Sequence, residues 1–452
     1  MKRPLALSFL APSLLALALA SCQAKPVQTP PPTPTADPTT IAIAFMQALA
    51  DARYAEATLL LDPTMKSVFP QAKQREAWQS LVAQSGPFQR LGETRSERQD
   101  PYDIIYVTCV FENASLDAKV VFDSQKRITG LWFSPHQTAS STPAAYVQSD
   151  LFHEQELNIG TGSAALPGTL SIPNGQGPFP ALLLVHGSGP NDRDETVGAN
   201  KPFLDLAWGL ASKGVAVLRY DKRTKAHPEE FAALSSTLTV KEEVVDDAVA
   251  AAALLRTQES VDPKRVFVLG HSLGGTLIPR IALADPQAAG FVILAGATRP
   301  LEDLMLIQSE YLARLDGTLS AYEVAALDEL KRQVDQVKDP GLSTAAHPQG
   351  LLGAPVSYWL DLRAYNPAEV AVTVDQPMLI LQGGRDYQVG VEDLNGWKFT
   401  LSSRTDVQFK LYAELNHLFM PGDGKSTPAE YQTPGHVAEE VVNDIADWVR
   451  QH

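Results

Sequence analysis

Gly270-His271-Ser272-Leu273-Gly274 places a serine midway between two glycines, with Gly275 directly behind. G-x-S-x-G is the spacing of a sharp strand-to-helix turn. The turn lifts the serine off the sheet in a strained conformation, and the glycines let strand and helix approach without a clash. The flanks agree. Val266, Phe267, Val268 and Leu269 form a short apolar run suited to a strand buried on both faces, and Thr276–Ala284 reads as helix. A helix beginning there aims its first N–H groups at an oxyanion formed beside Ser272. The chemistry these residues offer is nucleophilic attack on a carbonyl.

Such a serine needs a base within hydrogen-bond reach and a carboxylate to fix the tautomer of that base. Behind a turn of this kind the acid and then the histidine follow along the chain. Four histidines lie beyond Ser272: His347, His417, His436 and His452. His452 is the last residue, His436 opens a helical run, and His347 falls in an inserted segment. His417 follows the apolar strand Val407–Tyr412 on a loop that should return over the serine, and it is the expected base. Asp386 is the expected acid. It follows the strand Pro377–Leu381 through Gln382-Gly383-Gly384-Arg385, which puts it at the strand end that carries Ser272. Asp375 lies at the wrong end of that strand, and Asp393 and Asp406 come too late.

An oxyanion needs two N–H donors. Leu273 supplies one. The other is expected from His186-Gly187-Ser188-Gly189-Pro190, the turn after the strand Ala181–Val185, with Ser188 as donor and Gly189 as a neighbouring pocket residue. His186 is expected to stabilise the turn. Arg219, Asp221, Lys222 and Arg223 follow the next strand. They either pair with Asp192, Asp194 or Glu195 to brace this turn or form a solvated charge cluster.

The elements that must position these groups alternate. After an opening hairpin (Glu154–Ile159, Gly168–Ile172), strand Ala181–Val185 leads to helix Pro202–Ser212. Strand Val215–Tyr220 leads to helix Val240–Thr257, whose one face repeats Val240, Val244, Ala248, Ala252 and Leu255. The strand before Ser272, then Gly290–Ala295, Pro377–Leu381 and Val407–Tyr412, and a closing helix His436–Val449, complete an α/β domain with a mostly parallel sheet over residues 150–452. Residues 299–370 interrupt it with helical runs and suggest a cap. Tyr358 and Trp359 in that segment are candidates for a substrate pocket or for ordinary core.

At this point HGSGPNDRDET (His186–Thr196), KPFLDLAWGLASKGVAVLRYDKRT (Lys201–Thr224), GHSLGG, QGGRD and NH together resemble the bacterial α/β-hydrolase esterases of the EstD-type carboxylesterase group. The resemblance covers residues 150–452. It implies the α/β-hydrolase fold with a helical cap, and hydrolysis of short-chain carboxylic esters by Ser272, Asp386 and His417. The superfamily also contains prolyl-oligopeptidase-like peptidases, which use the same triad on amides, and dienelactone hydrolases, whose usual nucleophile is cysteine. A peptidase or amidase therefore remains the alternative enzyme. A non-catalytic envelope binding protein, with the cap covering Ser272, is the alternative outside enzymology.

The 452-residue chain has ordinary globular composition, 44% hydrophobic and 20% charged, and a net charge of −15. That acidity argues against nucleic acid as a partner. No H-E-x-x-H, clustered Cys/His or phosphate-binding glycine loop is present, so no metal or cofactor is expected. Residues 1–22 read as an export signal: Lys2 and Arg3, the apolar run Leu5–Ala20, then Leu19-Ala20-Ser21-Cys22. That tetrapeptide resembles a bacterial lipobox, which implies lipidation of Cys22 and membrane attachment at the cell envelope. Gln23 after it leans toward the outer membrane of a Gram-negative cell. Cys109 is then the one cysteine left, so no intramolecular disulfide is expected. Residues 23–38 are a proline-rich tether, able to span roughly 50 Å at about 3.1 Å per residue.

Residues 39–135 read as a small α+β domain. Its helical runs are Ile41–Ala50, Tyr54–Leu61 and Gln71–Gln84, and its strands are Asp103–Phe111, Leu116–Phe122 and Arg127–Phe133. Helices followed by antiparallel strands resemble a cystatin-like or nuclear-transport-factor-like cone. Residues 136–149, rich in Ser, Thr, Ala and Pro, are expected to link the two domains.

Overall fold

The computed structural model describes residues 37–99, 102–112, 114–136, 142–228, 237–348 and 350–452. The signal segment, Cys22 and the tether up to residue 36 lie outside the described residues. Those described form two compact units, 37–136 and 142–452.

In the first unit, α1 (Pro38–Ala50), α2 (Tyr54–Leu59), α3 (Pro63–Val68) and α4 (Gln71–Ser85) precede β1 (Phe88–Gln99), β2 (Tyr102–Phe111), β3 (Ser115–Phe122) and β4 (Ile128–Pro135). The strands form an antiparallel meander in the order β1-β2-β3-β4. Phe45, Met46 and Leu49 of α1 pack with Val107, Cys109, Val120 and Phe122 of the sheet. Burial pushes the Cys109 thiol up to about 12. It is a core residue with no reactive thiolate.

The meander has one strand more than expected. Phe88–Gln99 (FQRLGETRSERQ) is polar and charged along most of its length, so period-two hydrophobicity does not reveal it. It forms through hydrogen bonds to β2 at the sheet edge, where such residues are tolerated. Helix α3 was also unforeseen. It is a single short run started by Asp62, whose carboxylate accepts from Met65 N at 2.6 Å.

The second unit is an eight-stranded sheet in the order β12-β11-β10-β9-β7-β8-β6-β5. Its strands are β5 (Phe152–Ile159), β6 (Leu166–Pro173), β7 (Phe179–Val185), β8 (Ala216–Tyr220), β9 (Val261–His271), β10 (Gly290–Leu294), β11 (Met378–Gly383) and β12 (Val407–Tyr412). The opening hairpin β5–β6 is antiparallel, as is the β6–β8 pair; the other neighbours are parallel. Buried on both faces, the parallel strands are nearly all apolar. Along β7, Ala181, Leu183 and Val185 enter a core shared with helices Asp246–Leu255 and Leu273–Ala284. Leu182 and Leu184 enter the opposite core, shared with helices Pro202–Ala211 and Glu439–Gln451. This is the α/β-hydrolase fold.

Three local differences have clear causes. Residues 142–149 do not behave as a linker: Tyr146 OH donates to Val437 O at 2.8 Å, and Gln148 N to Ser212 Oγ at 2.9 Å, which anchors the segment to the hydrolase unit. The final helix starts at Glu439, because Asp205 accepts from Val437 N at 3.0 Å and pairs with His436 Nδ1 at 2.9 Å. The helix expected from Val240 begins with a π-helical turn, Lys241–Val245, before the α-helix Asp246–Leu255.

The cap segment contains helices Leu301–Ala313, Ala321–Lys338, Val356–Arg363 and Pro367–Ala371. Ser320 and Glu323 close a capping box at the start of the second. Tyr358 and Trp359 are packed as core, the second of the two readings left open for them. Both are buried, Trp359 Nε1 donates to Leu351 O at 2.7 Å, and Tyr358 OH donates to Glu243 Oε2 at 2.8 Å. Trp359 packs within the cap with Val334, Val337 and Val356, whereas Tyr358 joins the core of the hydrolase sheet.

Candidate active site

Ser272 stands between β9, which ends at His271, and helix Leu273–Ala284, with φ 53° and ψ −117°. A left-handed serine is strained, and two close approaches hold it there. A Cβ on Gly274 would lie 2.4 Å from Val185 O, and one on Gly270 would lie 2.3 Å from Gly274 C. Both contacts are to backbone, so neither glycine has a substitute. Ser272 N donates to Leu294 O at 2.9 Å, and its carbonyl accepts from Thr276 N at 2.9 Å.

His417 and Asp386 meet as expected. His417 Nδ1 donates to Asp386 Oδ2 at 2.6 Å, with both residues buried. Asp386 Oδ1 accepts from Gln388 N at 2.7 Å and Val389 N at 3.0 Å, and Gln382 Nε2 donates to Oδ2 at 3.1 Å. The carboxylate is therefore fixed in orientation, and the imidazole is held in the tautomer whose Nε2 is free to accept a proton. Ser272 Oγ and His417 Nε2 have no hydrogen bond among the described residues. The residue beside Ser272 is what ties it to the His417 loop: the His271 and His417 rings are 4.7 Å apart, and His271 Nε2 donates to His417 O at 3.0 Å.

The loops that carry acid and base are fastened to one another. Arg385 N donates to Leu415 O at 2.9 Å, and Gly383 and Gly384 permit this packing, since a Cβ on either would strike the Ala413–Asn416 backbone. Asn416 Oδ1 accepts from Leu418 N at 3.0 Å and Met420 N at 3.2 Å, while its amide donates to Glu430 at 3.2 Å. Glu430 also pairs with Arg385. Asn416 and Glu430 escaped sequence reasoning. An asparagine beside the histidine was the only available signal, and nothing in the chain ties residue 430 to it.

The turn after β7 is braced. Gly187 sits directly against the nucleophile, since a Cβ there would be 3.1 Å from Ser272 Cβ. Its N–H donates to Glu195 Oε1 at 2.6 Å. Ser188 and Gly189 (φ 94°) follow, and neither N–H has a hydrogen-bond acceptor among the described residues. The Leu273 N–H opens the helix behind Ser272. Three members of the charged cluster are held in ion pairs: Arg219 with Asp194 at 2.5 Å and with Glu154 at 2.5 Å, Asp221 with Arg193 at 3.2 Å, and Arg223 with Asp247 at 2.6 Å. His186 packs between Phe203 and Tyr220 with both ring nitrogens unpartnered among the described residues, and burial pushes it down to about 4. It acts as a neutral wedge under the turn. A hollow of about 700 Å3 lined by residues such as His153, Pro173, Phe179 and Ser260 opens at the start of β7, away from Ser272, and is no part of this site.

Glu195 and His271 form a buried pair at 2.8 Å under the nucleophile. Both partners of the His271 ring, a carboxylate and a carbonyl, are acceptors, so the ring is an imidazolium. Burial works against that charge, but the Glu195 carboxylate and its hydrogen bond, helped by His417 O, raise the His271 pKa overall. Burial likewise works against the Glu195 carboxylate, and the His271 charge lowers its pKa overall. The signs follow. The contribution of His271 is complete below its unfolded pKa and is lost as pH rises through the raised folded value; that of Glu195 is lost only in acid. Stability to urea should therefore fall on the alkaline side of the ordinary histidine range. Glu195→Gln should cost about 3–5 kcal/mol at pH 6 and remove most of that alkaline decline. Urea midpoints at pH 6 and pH 9 test this; an equal drop at both values would contradict it.

Fold and turn together define a serine hydrolase of the α/β-hydrolase superfamily. Residues 181–423 match the family described as serine aminopeptidase, S33, and the chain belongs to that family of hydrolases. Residues 42–131 match a domain described as a protein of unknown function, DUF3887. Across 409 residues, 90% of this chain and 94% of the other, the sequence is 38% identical to esterase EstD of Thermotoga maritima. Among solved structures, the Pyrococcus furiosus esterase Pf2001 aligns over 70% of this chain and 96% of its own, with 16% identity and a TM-score of 0.43. Est1E of Butyrivibrio proteoclasticus aligns over 66% and 99%, with 14% identity and a TM-score of 0.43.

Proposed function

We propose that the protein hydrolyses carboxylic esters, short-chain ones foremost, through an acyl-enzyme on Ser272. The observation that carries this is the 2.6 Å His417–Asp386 bond, on a loop that His271 ties to the strained turn holding Ser272. Ser272 Oγ attacks the ester carbonyl while His417 Nε2 takes its proton. Asp386 keeps the imidazole oriented and stabilises the cation that forms. The N–H groups of Leu273 and Ser188, with Gly189 beside them, receive the oxyanion. Collapse of the tetrahedral intermediate expels the alcohol, protonated by His417, and water then releases the acid by the same steps. Likeness to EstD over nearly the whole chain supports an ester as substrate.

A second reading has its own support, because the matching family is described as serine aminopeptidase. The two readings part on one comparison: turnover of a short-chain p-nitrophenyl ester against the p-nitroanilide of the same acyl group. Ester turnover exceeding anilide turnover by several orders of magnitude is the expected result. Comparable rates would make the protein an amidase.

The N-terminal residues support export and lipidation at Cys22, with the tether holding the body off an envelope membrane. In cells fed labelled palmitate, wild-type protein should carry label and sediment with membranes, and Cys22→Ala should do neither. An unlabelled wild type would refute the anchor. The order of helices before antiparallel strands supports reading residues 39–135 as a cystatin-like or nuclear-transport-factor-like cone that serves as a spacer or docking module.

A further inference from the structure

One buried cation has no place in the mechanism so far. Lys222 follows β8 and is 2% exposed. Its Nζ donates to Gly187 O at 2.8 Å and pairs with Glu243 Oε1 at 2.7 Å. Glu243 lies on the π-helical turn, and its other oxygen receives Tyr358 OH at 2.8 Å from the cap. Asn191 adds a weaker bond to Gly187 O at 3.2 Å, and its own carbonyl accepts from Lys222 N at 3.1 Å. Gly187 is thus held at both ends, its N–H by Glu195 and its carbonyl by Lys222.

The carbonyl that Lys222 grips belongs to the peptide whose N–H is that of Ser188. In a trans peptide the C=O and N–H point in opposite directions. The Gly187–Ser188 bond is trans; the cis peptide among the described residues is Gly177–Pro178. An ammonium on the carbonyl therefore turns the Ser188 N–H away from itself. It also polarises the amide, which makes that N–H a stronger donor. Gly187 touches Ser272, so the peptide it begins borders the place where an oxyanion forms.

We infer that Lys222 is a positioning residue for the oxyanion hole, holding the Gly187–Ser188 peptide so that the Ser188 N–H meets the developing negative charge. Glu243 balances the charge of Lys222, so the effect is one of orientation and polarisation. Tyr358 then links the cap to the same peptide through Glu243 and Lys222. The inference rests on the serine-hydrolase reading above.

The test uses the full chain as wild type, Lys222→Met, and the double variant Lys222→Met/Glu243→Gln, which leaves no uncompensated buried carboxylate. Ester kinetics are measured beside inhibition by a trifluoromethyl ketone of matching acyl chain, whose hemiketal oxygen mimics the oxyanion, and by the corresponding carbinol, which cannot add to serine. Expected in both variants are a fall in kcat of about a hundredfold and a ketone affinity weakened by the same factor. KM and carbinol affinity should stay within about threefold, the change expected of an interaction confined to the transition state. A folded double variant with near wild-type kcat overturns the inference. So does equal weakening of ketone and carbinol, or failure of both variants to fold, since each marks a merely structural role. If wild type neither hydrolyses the ester nor binds the ketone, the serine-hydrolase reading itself has failed.

Discussion

Ser272→Ala should lower kcat for a short-chain ester by about 10^4- to 10^6-fold, or about 5–8 kcal/mol of transition-state stabilisation. The loss is chemical and not structural. Ser272 Oγ holds nothing together among the described residues, whereas the Ser272 backbone is tied at both ends, to Leu294 O and by Thr276 N. Alanine can follow the same path at φ 53°, supported by the same Gly270 and Gly274 contacts. The variant should therefore unfold at the same urea concentration as wild type and bind ester-like inhibitors that do not form an adduct. Residual activity above a few per cent would mean that another group initiates the reaction.

Asp386→Asn should be nearly as damaging, about 10^3- to 10^4-fold in kcat, with almost the same shape. The hydrogen bonds say why. The Oδ1 position receives Gln388 N and Val389 N, so the asparagine carbonyl must occupy it. Its NH2 then replaces Oδ2 and faces His417 Nδ1 and Gln382 Nε2. Two donors cannot share a bond, so His417 must turn Nδ1 into an acceptor and carry its proton on Nε2. In that tautomer it cannot take the proton of Ser272. The check is kcat and KM beside near-ultraviolet circular dichroism. A folded Asp386→Asn enzyme within tenfold of wild type would show that Asp386 does not govern the tautomer.

What could be seen in the chain was whatever short-range pattern encodes. The turn around Ser272 is written in five consecutive residues, and Asp386 and His417 each follow a recognisable apolar strand at its carboxyl end. The parallel sheet followed from the same alternation. What escaped was long-range or polar. Strand β1 hides behind its charges, and Tyr146 binds the hydrolase unit through Val437, far along the chain. Tyr358 and Trp359 have the composition of pocket residues, but the folded cap turns them inward. The Glu195–His271–His417 chain and the Lys222 clamp join residues that only the sheet brings together. Charge clustering hinted at bracing near residues 219–223 without saying which acid meets which base.

The most direct test of Ser272 as nucleophile is covalent capture by an alkyl phosphonate p-nitrophenyl ester, followed by peptide mass mapping. The expected result is release of one equivalent of p-nitrophenol, loss of esterase activity in step with it, and a single phosphonyl adduct on the peptide containing Ser272, absent from Ser272→Ala. An adduct on a different residue that abolishes activity, or full activity after Ser272 has been modified, would contradict it.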